Sequence, residues 1–164
     1  MEIMQGQLRH VNWRTVVTAG LLAVLGGLVA AVICLAAVPP VTRDALTHHL
    51  YVPKLYLEYG DMREIPWVVF SYFPMNLDLL YMIPLAFGND IAPKYIHFAF
   101  AIVTAFIIHR WLRRWENSLT GLFGALLFLS TPIILKLSIS VYVDLGLICF
   151  TTMALYALVR WMEA

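Results

Sequence analysis

Charge is what this sequence has least of: only 13% of its 164 residues are Asp, Glu, Lys or Arg, against 62% hydrophobic. Soluble domains run near a quarter charged and about half apolar, so a soluble enzyme is excluded. The formal net charge of +1, with no basic tail, excludes nucleic acid as a partner. Cysteine is nearly absent too. Cys34 and Cys149 each lie inside an apolar run and read as small hydrophobes rather than a disulfide or metal framework. The apolar runs contain no series of acids and bases that would mark a transport path. His97 and His109 share one predicted helix about 120° out of phase, which argues against a dihaem site.

Long apolar runs are what the sequence does have, with a mean hydropathy of +0.80. Residues 16–38, 91–112, 119–137 and 141–162 are each long enough to cross a hydrocarbon core of about 30 Å. The stretch 75–87 contains Asp78 and Pro84 and would rise only about 20 Å as a helix, so it lies at the interface or dips in and returns. Val16 to Val38 follows Arg9 and Arg14 and ends at Pro39-Pro40; it exceeds the apolar core of a signal peptide, about 7–15 residues, and reads as a retained anchor.

The expected fold class is therefore an all-α integral membrane protein. It has four transmembrane helices in a single transmembrane domain, 1–164, with non-cytoplasmic juxtamembrane helices in the outer segment 39–90. The basic turn His109, Arg110, Arg113, Arg114 marks the cytoplasmic side. Both termini then fall inside, with six arginines against three glutamates, while five bases face seven acids outside. Trp13, Trp67, Trp111, Trp115 and Trp161 fall at span ends or in the outer segment, as an aromatic belt requires. Ala19, Ala23, Gly27 and Ala31 form a small-residue stripe suited to a closely approaching helix.

Two acids stand out. Asp44 begins the outer segment in Thr-Arg-Asp-Ala-Leu-Thr-His-His-Leu, with Thr42 as candidate N-cap and Gly60 as candidate helix stop. In an α-helix His48, at i+4, shares its face. The pair would orient one another, bind a metal or move a proton, unless Asp44 merely complements the helix dipole. Asp144 opens the last run on the same side, where an ionisable group is a functional candidate. Lys136 ends the third run at that level, and a pairing with Asp144 is the alternative to a functional role.

In order along the chain, these motifs resemble the membrane glycosyltransferases of the GT-C fold, the group containing protein O-mannosyltransferases and lipid A aminoarabinose transferases. Asp44 to Leu50 is similar to that family's first outer acidic motif, and Tyr72 to Tyr81 to its aromatic-proline juxtamembrane segment. Arg110 to Trp115 resembles its cytoplasmic hairpin. Ser130-Thr131-Pro132 with Tyr142-Val143-Asp144-Leu145 resembles its second outer acidic motif.

The resemblance covers nearly all of this chain but only the N-terminal portion of such enzymes, so a larger fold is expected. It implies inverting transfer of a sugar from a polyprenyl-phosphate donor to an acceptor on the non-cytoplasmic face of a membrane, here expected to be a bacterial inner membrane. Asp44 and Asp144 would be catalytic, while Arg43, Lys54, Lys136, His48 and Tyr142 would bind phosphate or substrate. A divalent metal held by Asp44, His48 and His49 is a further implication, although Arg43 and Ala45 flank Asp44 where some relatives carry a second acid. The alternative is a non-catalytic subunit that binds further membrane helices or a partner protein.

Overall fold

A computed structural model describes residues 12–164 and is helical throughout its regular structure, with no strand among the described residues. The long helices are α1 (Trp13–Ala36), α4 (Ala92–Trp115) and α7 (Asp144–Met162); α5 (Ser118–Ser130) and α6 (Pro132–Ser138) lie between the last two. Between α1 and α4 come a π-turn (Ala45–His49), α2 (Tyr51–Tyr59), a short 3₁₀ turn (Val69–Tyr72) and α3 (Asp78–Ala86). Three helices, α1, α4 and α7, are long and apolar enough to cross a membrane, and the α5–α6 pair makes a fourth if counted as one span. Arg9, which the charge sorting placed inside, lies outside the described residues.

The third run is not the continuous helix expected over 119–137. It bends by 67° between α5 and α6, because Pro132 has no N–H to extend the ladder and Thr131 before it is driven extended, at ψ 127°. The hydroxyl of Thr131 donates instead to the Leu127 carbonyl at 2.8 Å. The stretch 75–87 holds only the nine-residue α3, consistent with its exclusion as a span.

The main core joins α1, α4, α5, α6 and α7 through Val32, Phe98, Ala101, Ala105, Ala125, Leu129, Ile134 and Leu145. Close approach is concentrated between α4 and α5. A Cβ at Gly121 would sit 2.6 Å from the His109 carbonyl oxygen, and one at Gly124 would sit 2.3 Å from Leu112 Cδ1. At Gly121 the clash would be with backbone, so glycine is what lets these helices meet, whereas at Gly124 a flexible leucine end could move aside.

On α1 the packed positions are Leu25, Leu28, Val29 and Val32, whereas Ala19, Ala23, Gly27 and Ala31 are exposed. At about 100° per residue the two stripes lie on roughly opposite faces. Among the described residues most of the small-residue stripe is left uncovered, with only Ala31 reaching the edge of a groove beside Leu135 and Ile139. Two smaller cores organise the segment between α1 and α4: Ala45, Leu50, Tyr81, Leu85 and Val141 join it to the residues before α7, and Val52, Leu55, Tyr56, Ile65 and Val68 hold α2 to the following loop.

Candidate functional site

The first acidic motif does not enter as an α-helix. Its backbone begins with Leu46 N–H on the Thr42 carbonyl at 3.2 Å, then widens so that Leu50 N–H reaches Ala45 at 2.9 Å, five residues back. Thr42 starts this turn through its carbonyl alone; its hydroxyl oxygen is buried without a partner, so the expected side-chain cap does not form. Gly60 does end α2, at φ 74° with its N–H on the Tyr56 carbonyl at 3.0 Å.

Of the two histidines in this turn, His49 is the one that pairs with an acid from another element, Asp78. His48 stacks on Phe70 with ring centres 4.3 Å apart, and its Nδ1 lies 3.1 Å from the Thr47 hydroxyl. Asp44 and His48 are hydrogen-bonded to other partners, Tyr142 and Thr47, while the Asp44 charge still acts on the His48 ring.

His49 Nδ1 lies 2.8 Å from Asp78 Oδ1, in a pair whose members are 7% and 2% exposed. Asp78 sits in the first turn of α3, where the helix dipole favours a carboxylate. The His49 ring is 5.5 Å from the ring of Tyr142, and the Tyr142 hydroxyl donates to Asp44 Oδ2 at 3.0 Å. The Tyr81 hydroxyl in turn donates to the Tyr142 carbonyl. Three stretches of chain thus converge: the π-turn, the start of α3 and the segment before α7. Burial pushes the Tyr142 phenol up, reinforced by its hydrogen bond to Asp44 and by the charges of Asp44 and Asp144. Burial likewise raises Tyr81, with Asp78 and Asp144 adding to it. Both phenols remain hydrogen-bond donors at neutral pH.

The other residues singled out from the sequence stay at the periphery. Asp144 is exposed at the start of α7 and reaches the cluster through its charge on Tyr142 and Tyr81. Arg43 and Lys136 are exposed, and Lys136 forms no ion pair with Asp144. Lys54 approaches Asp90 at 4.0 Å.

Asp44, His48 and His49 do not make a metal site. His49 is committed to Asp78, His48 to Thr47 and Asp44 to Tyr142. Among the described residues no three His, Cys, Asp or Glu side chains are grouped as ligands.

Asp78 and Tyr81 are the members of the cluster that sequence reasoning missed as site residues. Their signal was an acid inside an apolar stretch, which counted only against a span. Lys94 was missed as well: it is 3% exposed, and its Nζ donates to the Val38 carbonyl at 2.7 Å, tying the end of α1 to the start of α4.

Burial lowers the His48 imidazole below its ordinary 6.5; the His49 ring adds to this, while the carboxylates of Asp44 and Asp78 oppose it. Between the lowered value and 6.5 the unfolded chain binds the proton more readily, so this group's contribution to stability is present above 6.5 and is lost as pH falls through the lowered value. Acidification from about pH 7 to about pH 5 is expected to lower amide-exchange protection factors, taken relative to the intrinsic rate at each pH, across the π-turn and α2, and His48→Gln should flatten that response. Unchanged protection in the native chain would refute it.

Comparison with protein families, with curated proteins and with solved structures returns no match. The resemblance to GT-C enzymes therefore rests on the sequence motifs, and the site on its own geometry.

Proposed function

We propose that this chain carries the outer acidic site of a membrane glycosyltransferase, moving a sugar from a polyprenyl-phosphate donor to an acceptor hydroxyl on the non-cytoplasmic side. The observation that carries the reading is the 3.0 Å hydrogen bond between Tyr142 and Asp44, which joins two acidic motifs 98 residues apart. In this reading the chain crosses a bacterial inner membrane four times, with both termini cytoplasmic. Asp44 orients the acceptor hydroxyl and takes its proton as the oxygen attacks the anomeric carbon. The bond from that carbon to the phosphate oxygen breaks, and the electron pair leaves with polyprenyl phosphate. Tyr142 holds the Asp44 carboxylate in place, while Arg43, Lys54 and Lys136 supply cations for the departing phosphate.

Asp44→Asn and Asp144→Asn in the full chain, reconstituted with a polyprenyl-phosphate sugar, test it. A positioned proton acceptor contributes roughly 10²- to 10⁴-fold, so Asp44→Asn should lower release of polyprenyl phosphate by about that factor, with a smaller loss from the peripheral Asp144. Undiminished turnover in both overturns these roles.

A second reading, a non-catalytic subunit, draws on the largely uncovered stripe Ala19, Ala23, Gly27 and Ala31. It requires a stoichiometric partner helix, which Gly27→Leu would displace; turnover by the isolated chain would exclude it.

A further inference from the structure

At the opposite end of the bundle from the acidic cluster, the last turns of α4 and α7 meet around a second polar feature. A cleft of about 290 Å³ is lined by Arg110, Arg113 and Arg114 of α4 and by Tyr156 and Arg160 of α7. The arginines of α4 are close in sequence, but Arg160 is brought to them only by the packing of α4 against α7. Tyr156 is held there by the Trp111 ring, 5.7 Å away.

We infer that this cleft binds the phosphate headgroup of an anionic phospholipid. Charge sidedness requires basic residues near the ends of spans, but it does not require four guanidinium groups from two helices to share one cavity. Their mutual repulsion calls for a counterion. Glu163 supplies part of one, accepting from Arg114 Nη2 at 3.0 Å, and the carbonyl ends of the two helix dipoles offset a little more. Among the described residues no carboxylate lies within ion-pair reach of Arg110, Arg113 or Arg160. Guanidinium forks match phosphate oxygens in pairs, and a basic pocket between spanning helices at headgroup level fits an anionic lipid.

Location selects the lipid over a free anion. Both helices that form the cleft are long and apolar enough to span, and Trp115 and Trp161 are exposed beside its ends, where an aromatic belt meets the headgroups. The site is independent of the outer acidic cluster and does not rest on a transferase reading.

The test is native mass spectrometry of the full chain in mild detergent, titrated with phosphatidylglycerol or with phosphatidylcholine. The native chain should retain phosphatidylglycerol in preference. The double variant Arg113→Gln, Arg160→Gln should weaken that retention roughly 10- to 30-fold, while Arg63→Gln, paired with Asp61 in the outer segment, should leave it unchanged. Helicity by circular dichroism monitors folding, and Arg110→Gln alone carries the test if the double variant loses helix. Equal affinity for the two lipids, retention unaffected by the cleft substitutions, or displacement of the lipid by equimolar inorganic phosphate would overturn the proposal.

Discussion

His97→Leu is expected to destabilise the chain by about 2 kcal/mol or more, a large effect for one substitution. The imidazole is fully buried in α4, and its Nδ1 lies 3.1 Å from the carbonyls of both Leu137 and Ser140. Its Nε2 accepts from Leu145 N–H at 3.1 Å. An accepting Nε2 leaves the proton on Nδ1, so one neutral ring serves both carbonyls and the amide.

These three backbone groups belong to the turn from α6 into α7, where the Leu137 carbonyl also accepts from Ser140 N–H but the Ser140 carbonyl and the Leu145 N–H have the imidazole as their partner. Leucine would orphan the Ser140 carbonyl and the Leu145 N–H, while the Leu137 carbonyl keeps the Ser140 N–H at 3.1 Å, and each buried unsatisfied group costs about 1–3 kcal/mol. A thermal melt followed by circular dichroism in detergent should show a large fall in Tm. His97→Gln, whose amide offers both a donor and an acceptor, should recover part of it. A loss under about 1 kcal/mol would mean that water or a rearranged turn satisfies these groups, and that His97 does not hold the junction.

The second large effect is expected at His49. Alanine there strips the buried Asp78 of the one side chain it pairs with, and removing one member of a buried pair costs about 3–5 kcal/mol because an uncompensated charge stays behind. Asp78→Asn should cost less, since the amide carries no charge to strand. The order of the two is the discriminating measurement, read as melting shifts or as amide exchange over α2 and α3. If Asp78→Asn proves the more damaging, the dipole at the start of α3 stabilises the carboxylate more than His49 does, and the pair is not what joins the two helices. In the transferase reading both substitutions also lower turnover, because Tyr142 packs beside the His49 ring and presents its hydroxyl to Asp44.

Both residues show where sequence reasoning stops. His97 read only as an unsuitable haem ligand, since nothing local reveals that a distant turn will need an acceptor and a donor. His49 read as the lesser neighbour of His48 because the i+4 rule presumes an α-helix. The turn is a π-turn instead, and it is the His49 ring that reaches a buried acid of another element. Asp78 was legible as an anomaly in an apolar stretch, yet its partner lies 29 residues away, and no periodicity links them. Arg160 likewise is 46 residues beyond Arg114, and only the packing of two helices brings it to the same cleft.

Composition and apolar run length alone determined that the chain is helical and suited to a membrane, and where α1, α4 and α7 lie. A helix satisfies its own backbone within one segment, so a run of about 20 apolar residues is sufficient information for it. Pro132 carried the break in the third run, though not its angle. Which face of α1 is packed, which histidine pairs with Asp78 and which arginines share a cavity were decided by tertiary structure. Those outcomes depend on close helix approach, as at Gly121, and on contacts between residues far apart in the chain.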